Sequence, residues 1–337
     1  MGLQRIRPFA VMIAIYAPTI FIFAHLAIPQ SNPQAGPANS GPVYVGMIED
    51  DRRELTLMGN GHLVPGQKSL DDPVPGRNIT AYFEKDSAGW KQVRQLNQKV
   101  RWTVAFDGKN LGQIDSEPMP ASESRPKDFP GLLSVHEILA PPAKVAAVGT
   151  ASGDFNGNWG VNVRRPLVVV SKPNFTDPEH WKRTKLPDDV TQNVRKVFHK
   201  TFEHVRQCDS SGEPLSHDSR VADSEIGVLK AYSSNKGSFI VETRLTNHRC
   251  VFNMNGADLQ LFEGDQWYYV RPAGEVVFLA RDWQLVDAGD YDGDGKSEVI
   301  FYVAESEDDA GVETEGYILF YDDFQRSVKF TWSWMGK

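Results

Sequence analysis

The amino-acid sequence predicts a mainly β protein with one inserted amphipathic helix. Glycine and proline are frequent, at 28 and 21 of 337 residues, as expected for a chain that turns often between short strands. From Val43 onwards, runs of β-branched and aromatic residues alternate with turn-forming residues. One segment, at about 189–207, spaces its apolar residues as a helix does. Asp188 and Asp189 stand at its N-terminal end, where the helix dipole favours acidic side chains.

The N-terminus has the pattern of a membrane signal. Arg5 and Arg7 precede an apolar stretch of about 20 residues, 9–28, which is long enough to span a bilayer as one transmembrane helix. No further lysine or arginine occurs before Arg52, so the positive-inside rule predicts that the rest of the chain lies outside the cytoplasm, in the periplasm or at the cell surface. The stretch exceeds the usual signal-peptide core and lacks a clear cleavage site, which favours an uncleaved anchor; a cleaved signal and a secreted protein are the alternative.

A linker separates this segment from the folded part. Residues 29–42 are rich in Pro, Gly, Ser, Asn and Gln, a composition that stays extended and does not pack. We therefore divide the chain into a signal anchor or signal peptide at 1–28, a linker at 29–42 and a β-rich domain with the helical insertion at 43–337. Within that domain, 113–131 is rich in Pro, Ser and Glu and is predicted to be a surface loop.

A nine-residue segment near the C-terminus carries the most specific pattern in the chain. Acidic side chains stand at its first, third, fifth and ninth places, and Gly295 at its sixth place allows a sharp turn. Alternating carboxylates on a tightly curled backbone supply several of the six to eight oxygens that Ca²⁺ prefers, and the seventh place offers a backbone carbonyl. The predicted ligands are the side chains of Asp290, Asp292, Asp294 and Glu298 and the carbonyl of Lys296.

The residues after this loop distinguish it from an EF-hand. The run 299–303 is continuously β-branched and aromatic, which predicts a buried strand. An EF-hand would continue into a helix and carry Glu at its twelfth place, which here is Phe301. The stretch 285–303 instead resembles the FG-GAP or VCBS repeat. That resemblance implies a β-propeller-like fold of the integrin-α kind, small or incomplete in a chain of this length, with Ca²⁺ in a loop between strands.

A degenerate second copy of the repeat lies at 149–170. Residues 153–158 align with residues 289–294, but Asn replaces two carboxylates, Trp159 replaces the glycine and Asn162 replaces the ninth-place acid. Amide oxygens ligate Ca²⁺ without adding charge, so we expect this copy to keep the shape of the turn rather than to bind metal. It therefore indicates an internal repeat.

The two cysteines, Cys208 and Cys250, are expected to form a disulfide if the domain lies in an oxidising compartment. Two buried free thiols are the alternative. Such a bridge closes a long loop, and constraining the unfolded chain in this way stabilises the folded state.

Sequence patterns of catalysis are mostly missing. His136 begins no His-Glu-x-x-His zinc motif, and His199 and His204 stand five residues apart on the predicted helix, which does not place both on one metal. We therefore assign no catalytic residue. Carboxylate pairs for glycoside hydrolysis are brought together by the fold and need not be close in sequence, so a carbohydrate-active enzyme is kept as an alternative function.

The net charge of −8, with no Lys/Arg-rich run, argues against a nucleic-acid partner. The sequence fits best an extracytoplasmic, calcium-stabilised binding module that is tethered to a membrane and takes a protein or carbohydrate ligand on its loops. A polysaccharide lyase or hydrolase on the same scaffold is the main alternative, and a structural subunit of an envelope complex is a third, because a fold alone does not decide function.

Overall fold

In the computed structural model, the described residues form antiparallel sheets and one α-helix longer than a single turn, which confirms the mainly β prediction. The described residues are 41–48, 78–119, 134–139, 165–203, 205–207, 221–246, 251–253, 260–261, 265–307 and 312–335. Outside them lie the predicted membrane segment at 9–28, nearly all of the linker, residues 149–164 of the second repeat, and both Cys208 and Cys250. In the described part of the chain, no helix is long and apolar enough to cross a membrane.

The first sheet closes into a barrel. Its strands, which follow the apolar runs of the sequence, are β1 (Val43–Ile48), β2 (Asn78–Asp86), β3 (Gly89–Gln92), β4 (Val100–Phe106), β5 (Lys109–Pro118), β6 (Val135–Ile138) and β7 (Leu167–Val170). Antiparallel pairing runs β1–β7–β4–β5–β6–β2 and returns from β2 to β1, while β3 pairs with the C-terminal end of β2. Closure gives each strand of the ring two neighbours, so the ring has no open edge.

The barrel corrects one sequence-based prediction. The stretch 113–131 is predicted to be a surface loop, yet its backbone continues as strand β5 through Pro118. The prediction is wrong over 113–118 because β4 and β6 flank this segment and pair with its backbone, and because Ser116 is buried inside the barrel. Residues 120–131 lie outside the described part of the chain.

A chain of hydrogen bonds crosses the barrel interior. Trp102 Nε1 donates to Ser116 Oγ at 2.7 Å, and Ser116 Oγ lies 3.1 Å from His136 Nδ1. His136 Nε2 lies 3.0 Å from the carbonyl oxygen of Leu96. Burial lowers the pKa of His136, so the ring is neutral, with Nε2 donating to the carbonyl and Nδ1 accepting from Ser116. His136 is therefore a hydrogen-bonded core residue.

A second sheet carries the helix. The next elements are β8 (Lys182–Arg183), α1 (Asp188–Thr201), β9 (Val205–Gln207), β10 (Ile226–Ser233), β11 (Phe239–Leu245), β12 (Val251–Asn253), β13 (Gln260–Leu261), β14 (Gln266–Val270) and β15 (Val276–Arg281). Five of them pair in the order β15–β14–β11–β10–β8, and β13–β12–β9 form a small separate sheet. Val194 and Phe198 of α1 pack against Val241 and Tyr268 of the five-stranded sheet, so the apolar face of the helix is buried.

The helix begins close to its predicted start and ends earlier than predicted. The spacing predicts a helix over 189–207, but α1 ends at Thr201 and the chain is extended again by Val205. Val205 fits the helical spacing, yet it pairs in β9 with Asn253 and reaches the same hydrophobic core from a strand. Apolar spacing alone does not separate a last helical turn from a short strand that reaches the same core.

The last four strands form a layer between the barrel and the five-stranded sheet. β16 (Gln284–Gly289), β17 (Glu298–Glu307), β18 (Val312–Tyr321) and β19 (Arg326–Met335) are neighbours in sequence order, and we call them the C-terminal meander. Ile300 and Tyr302 of β17 pack on the barrel, whereas Val299 and Phe301 pack towards Trp267 on the five-stranded sheet. Side chains alternate along a strand, so a strand buried on both faces has a continuous apolar run.

Arg165 joins the barrel to the C-terminal meander. Its guanidinium lies 2.6 Å from Asp107 in the β4–β5 turn, donates to the carbonyl of Val286 at 2.5 Å and lies 3.3 Å from Asp287. Burial raises the pKa of the Asp287 carboxyl to about 7, an effect that the Arg165 charge opposes and the Asp107 charge reinforces. Asp287 therefore holds its proton to a higher pH in the folded protein than in the unfolded chain.

We predict that this carboxyl makes stability pH-dependent. An unfolded Asp loses its proton near pH 4 and folded Asp287 near pH 7, so the free energy of unfolding falls as the pH rises through that window, by at most about 1.4 kcal/mol per pH unit. Urea unfolding between pH 5 and 8 measures this slope. Asp287→Asn should make it less steep, while Asp290, Glu298 and Glu242, whose pKa values burial also raises, keep their contributions.

The control is Asp115→Asn, which removes an exposed carboxyl whose pKa the hydrogen bond from Arg101 lowers. Asp115 finishes titrating below this pH window, so its variant should keep the slope of the native protein. Identical slopes for the native protein and Asp287→Asn would contradict the assignment.

Candidate metal site

The predicted metal loop connects the first two strands of the C-terminal meander. β16 ends at Gly289 and β17 begins at Glu298. The strand predicted over 299–303 is confirmed; it extends to Glu307, and residues 299–303 are buried. A strand follows the loop where an EF-hand would continue into a helix, so the structure agrees with the sequence in placing the loop between strands.

The loop is curled by its own carboxylates. Asp290 Oδ1 accepts the N–H groups of Gly293 at 2.6 Å and Asp294 at 3.0 Å, and Asp290 Oδ2 accepts that of Gly295 at 2.9 Å. Gly293 and Gly295 have φ of 76° and 88°, which a residue with a side chain rarely adopts, and Gly295 is the sixth-place glycine of the pattern. An acidic turn without a metal makes such bonds too, so they explain the shape of the loop rather than its ligand.

Three of the five predicted ligands converge. One carboxylate oxygen from each of Asp290, Asp292 and Asp294 lies within 4.8 Å of the other two, and no other three potential ligand side chains of the described residues meet in this way. We call this set the Asp cluster. Glu298 stands outside it: its carboxylate is buried and accepts the N–H of Tyr291 at 2.7 Å. The role of the Lys296 carbonyl stays a prediction.

Burial and mutual repulsion disfavour the ionised forms of two carboxyl groups in this loop. Burial raises the pKa of Asp290; the N–H groups of Gly295 and Gly293 oppose the rise, and the charge of Asp292 adds to it. Burial also raises the pKa of Glu298 well above its usual range, and the Asp292 charge increases the effect. Carboxylates this close repel one another, so a cation among them would stabilise the ionised forms.

A lysine of the barrel lies against the loop. Lys85 at the end of β2 lies with its Nζ 2.5 Å from Asp292 Oδ2, and 27% of its side chain is exposed. Burial by itself would lower the pKa of Lys85, but the hydrogen bond to Asp292 and the charges of Asp292, Glu298 and Asp294 raise it. Sequence reasoning missed Lys85 because it lies 207 residues from its partner, and no local pattern signals such a contact.

The segment after β7 holds the base of the loop. Asp290 N donates to the carbonyl of Thr176 at 2.8 Å, and the ring of Phe175 stacks on Tyr291 with centroids 5.5 Å apart. Ser297 Oγ donates to Asp177 Oδ1 at 2.8 Å. The loop is therefore fixed at both ends to the chain that leaves the barrel, and its conformation is coupled to the position of that segment.

The histidines named from the sequence do not join this site. His199 on α1 is half-buried, and its Nε2 lies 2.7 Å from Asp223 Oδ1. His204 lies outside the described part of the chain.

No protein-family model matches this chain, and the searches of curated proteins and of solved structures found no similar protein. The resemblance to FG-GAP or VCBS repeats therefore stays a prediction that rests on the loop residues themselves.

We predict that Asp290 and Asp294 contribute unequally to the stability of the metal-free protein. Asp290→Ala removes the acceptor of three backbone N–H groups and should lower the free energy of unfolding by about 2–4 kcal/mol. Asp294 is exposed and accepts the N–H of Lys296, so Asp294→Ala should cost less than about 1 kcal/mol. Urea unfolding in excess chelator compares them, and equal losses would show that Asp290 does not organise the loop.

Proposed function

We propose that this chain is an extracytoplasmic, calcium-stabilised, β-rich binding module that its N-terminal segment tethers to a membrane. The observation that carries the proposal is the Asp cluster, in which oxygens of Asp290, Asp292 and Asp294 lie within 4.8 Å of one another. An all-oxygen, highly charged donor set suits a hard cation such as Ca²⁺ and does not suit metals that prefer nitrogen or sulfur ligands. Glu298 and the Lys296 carbonyl would complete the ligand set.

The calcium would be structural. When bound, it would supply the positive charge that the crowded carboxylates lack. The chain's own contacts carry the restraint further, because Asp290 is hydrogen-bonded to Thr176 and Ser297 to Asp177. A fixed loop therefore holds the C-terminal meander against the segment that leaves the barrel. Binding residues usually lie on loops that such a rigid scaffold positions.

The resemblance to FG-GAP or VCBS repeats supports a propeller-like arrangement, small or incomplete. Propeller blades are four-stranded antiparallel sheets. The C-terminal meander has this form, and the predicted calcium loop joins its first two strands. One of its faces packs on the five-stranded antiparallel sheet and the other on the barrel.

The N-terminal sequence supports a location outside the cytoplasm. Arg5 and Arg7 before the apolar stretch 9–28 predict that the β-rich domain is exported. Calcium sites of extracellular modules bind with dissociation constants on the order of 10⁻⁴–10⁻³ M, and we expect this site to fall in that range or below. The ligand would be a protein or a carbohydrate outside the cytoplasm, and the net charge of −8 makes nucleic acid an unsuitable partner.

We predict that calcium raises the melting temperature. At a concentration 100 times the dissociation constant, binding to the folded state alone adds about 2.7 kcal/mol of stability. In a domain of this size that corresponds to a shift of roughly 5 °C, measured by thermal unfolding in chelator and in calcium. Asp294→Ala should abolish the shift while leaving the metal-free melting temperature nearly unchanged.

The matched control is Asp115→Ala, which removes an exposed carboxylate paired with Arg101 outside the loop. It should keep the full calcium shift. Identical melting curves of the native protein in chelator and in millimolar calcium would reduce the Asp cluster to an acidic turn and remove the main support for the proposed function.

A further inference from the structure

Lys85 lies where it would compete with a bound calcium ion for the carboxylate of Asp292. Its Nζ lies 2.5 Å from Asp292 Oδ2, an oxygen of the third-place carboxylate of the loop. We propose that Lys85 is a built-in competitor for the Asp cluster, which offsets part of its negative charge in the metal-free protein and weakens its affinity for calcium. This inference rests on the proposed function and adds a residue that regulates the same site.

The ammonium reaches the loop from outside it, in a contact that is separate from the loop's own hydrogen bonds. It comes from β2 of the barrel, a different element 207 residues away in sequence. Strand pairing fixes the backbone from which this side chain extends, since Lys85 stands opposite Val43 on β1 and Trp90 on β3. The Nζ also lies 5.6 Å from the centre of the Trp90 ring, within the range of a cation–π contact. The barrel therefore presents a positive charge to the carboxylates whenever it is folded.

Electrostatic repulsion determines that Lys85 weakens, rather than strengthens, the binding of calcium. A divalent ion among the carboxylates would repel the Lys85 ammonium and compete with it for Asp292. Calcium binding then has to break the ion pair or tolerate the repulsion, and either cost appears as a weaker affinity. Two unit charges 4 Å apart interact strongly enough, even near water, to change an equilibrium constant by about tenfold, and a divalent ion doubles that interaction.

The same contact should act in the opposite direction in the metal-free protein. There the Lys85–Asp292 pair relieves the repulsion within the loop and connects β2 to the C-terminal meander. Replacing Lys85 with a neutral residue should therefore lower the melting temperature in chelator but enlarge the shift that calcium produces. A lysine with a purely structural role would lower both melting temperatures together.

The test is calorimetric titration of the chelator-stripped domain with calcium chloride at fixed ionic strength. Lys85→Met keeps the length of the side chain without its charge and should lower the dissociation constant for calcium by roughly tenfold or more. Lys85→Arg keeps the charge and should bind with nearly native affinity. Lys91→Met is the matched control, because Lys91 lies on the neighbouring β3 and pairs with Asp86 and Glu84 rather than with the loop.

The outcomes separate this inference from the proposed function. If Lys85→Met binds calcium no more tightly than the native protein, the competition is overturned and the calcium site stands. If Lys85→Met binds calcium and the native protein does not, Lys85 replaces the metal permanently; the competition is then supported and the calcium-stabilised module is not. If neither protein binds calcium, both fail. Equal gains from Lys91→Met and Lys85→Met would overturn a specific role for Lys85.

Discussion

Negative charge crowded into one short loop is the constraint on which the rest of this structure depends. Asp290, Asp292 and Asp294 place carboxylate oxygens within 4.8 Å of one another, and the buried Glu298 adds a fourth carboxyl beside them. The loop joins the two leading strands of a sheet that packs on the barrel with one face and on the five-stranded sheet with the other. The loop therefore lies in a sheet that contacts both neighbouring layers, and a positive charge beside it stabilises its ionised carboxylates.

The barrel supplies positive side chains along the junction. Lys85 pairs with Asp292, and Arg165 holds Asp107, Asp287 and a carbonyl of β16. Burial makes these contacts consequential, because a buried charge without a partner costs several kcal/mol whereas an exposed pair contributes little. The barrel and the C-terminal meander are thus matched in charge as well as in apolar shape.

Local patterns in the sequence predicted local structure well. They did not predict contacts between residues that are far apart in the chain. The Asp and Gly spacing predicted the curled loop, because ligand oxygens and a turn-forming glycine must stand at fixed places within nine residues. The β-branched and aromatic run at 299–303 predicted the strand after it. The start of α1 followed from its acidic first turn, but its end at Thr201 did not, since Val205 reaches the same core from a strand. Strand β5 was missed because its pairing with β4 and β6 overrides its composition. Lys85 could not be predicted, since only the closed barrel brings β2 to the loop.

A crystal structure of the domain grown in millimolar calcium, with the anomalous signal of the ion, tests the central idea most directly. We expect one calcium ion in the β16–β17 loop, with oxygens of Asp290, Asp292 and Asp294 at about 2.3–2.6 Å from it, and the Lys85 ammonium withdrawn from Asp292. The contrary result is a loop with no anomalous peak and with Lys85 still paired to Asp292. That result would mean that the lysine, and not a metal, balances the charge of the loop.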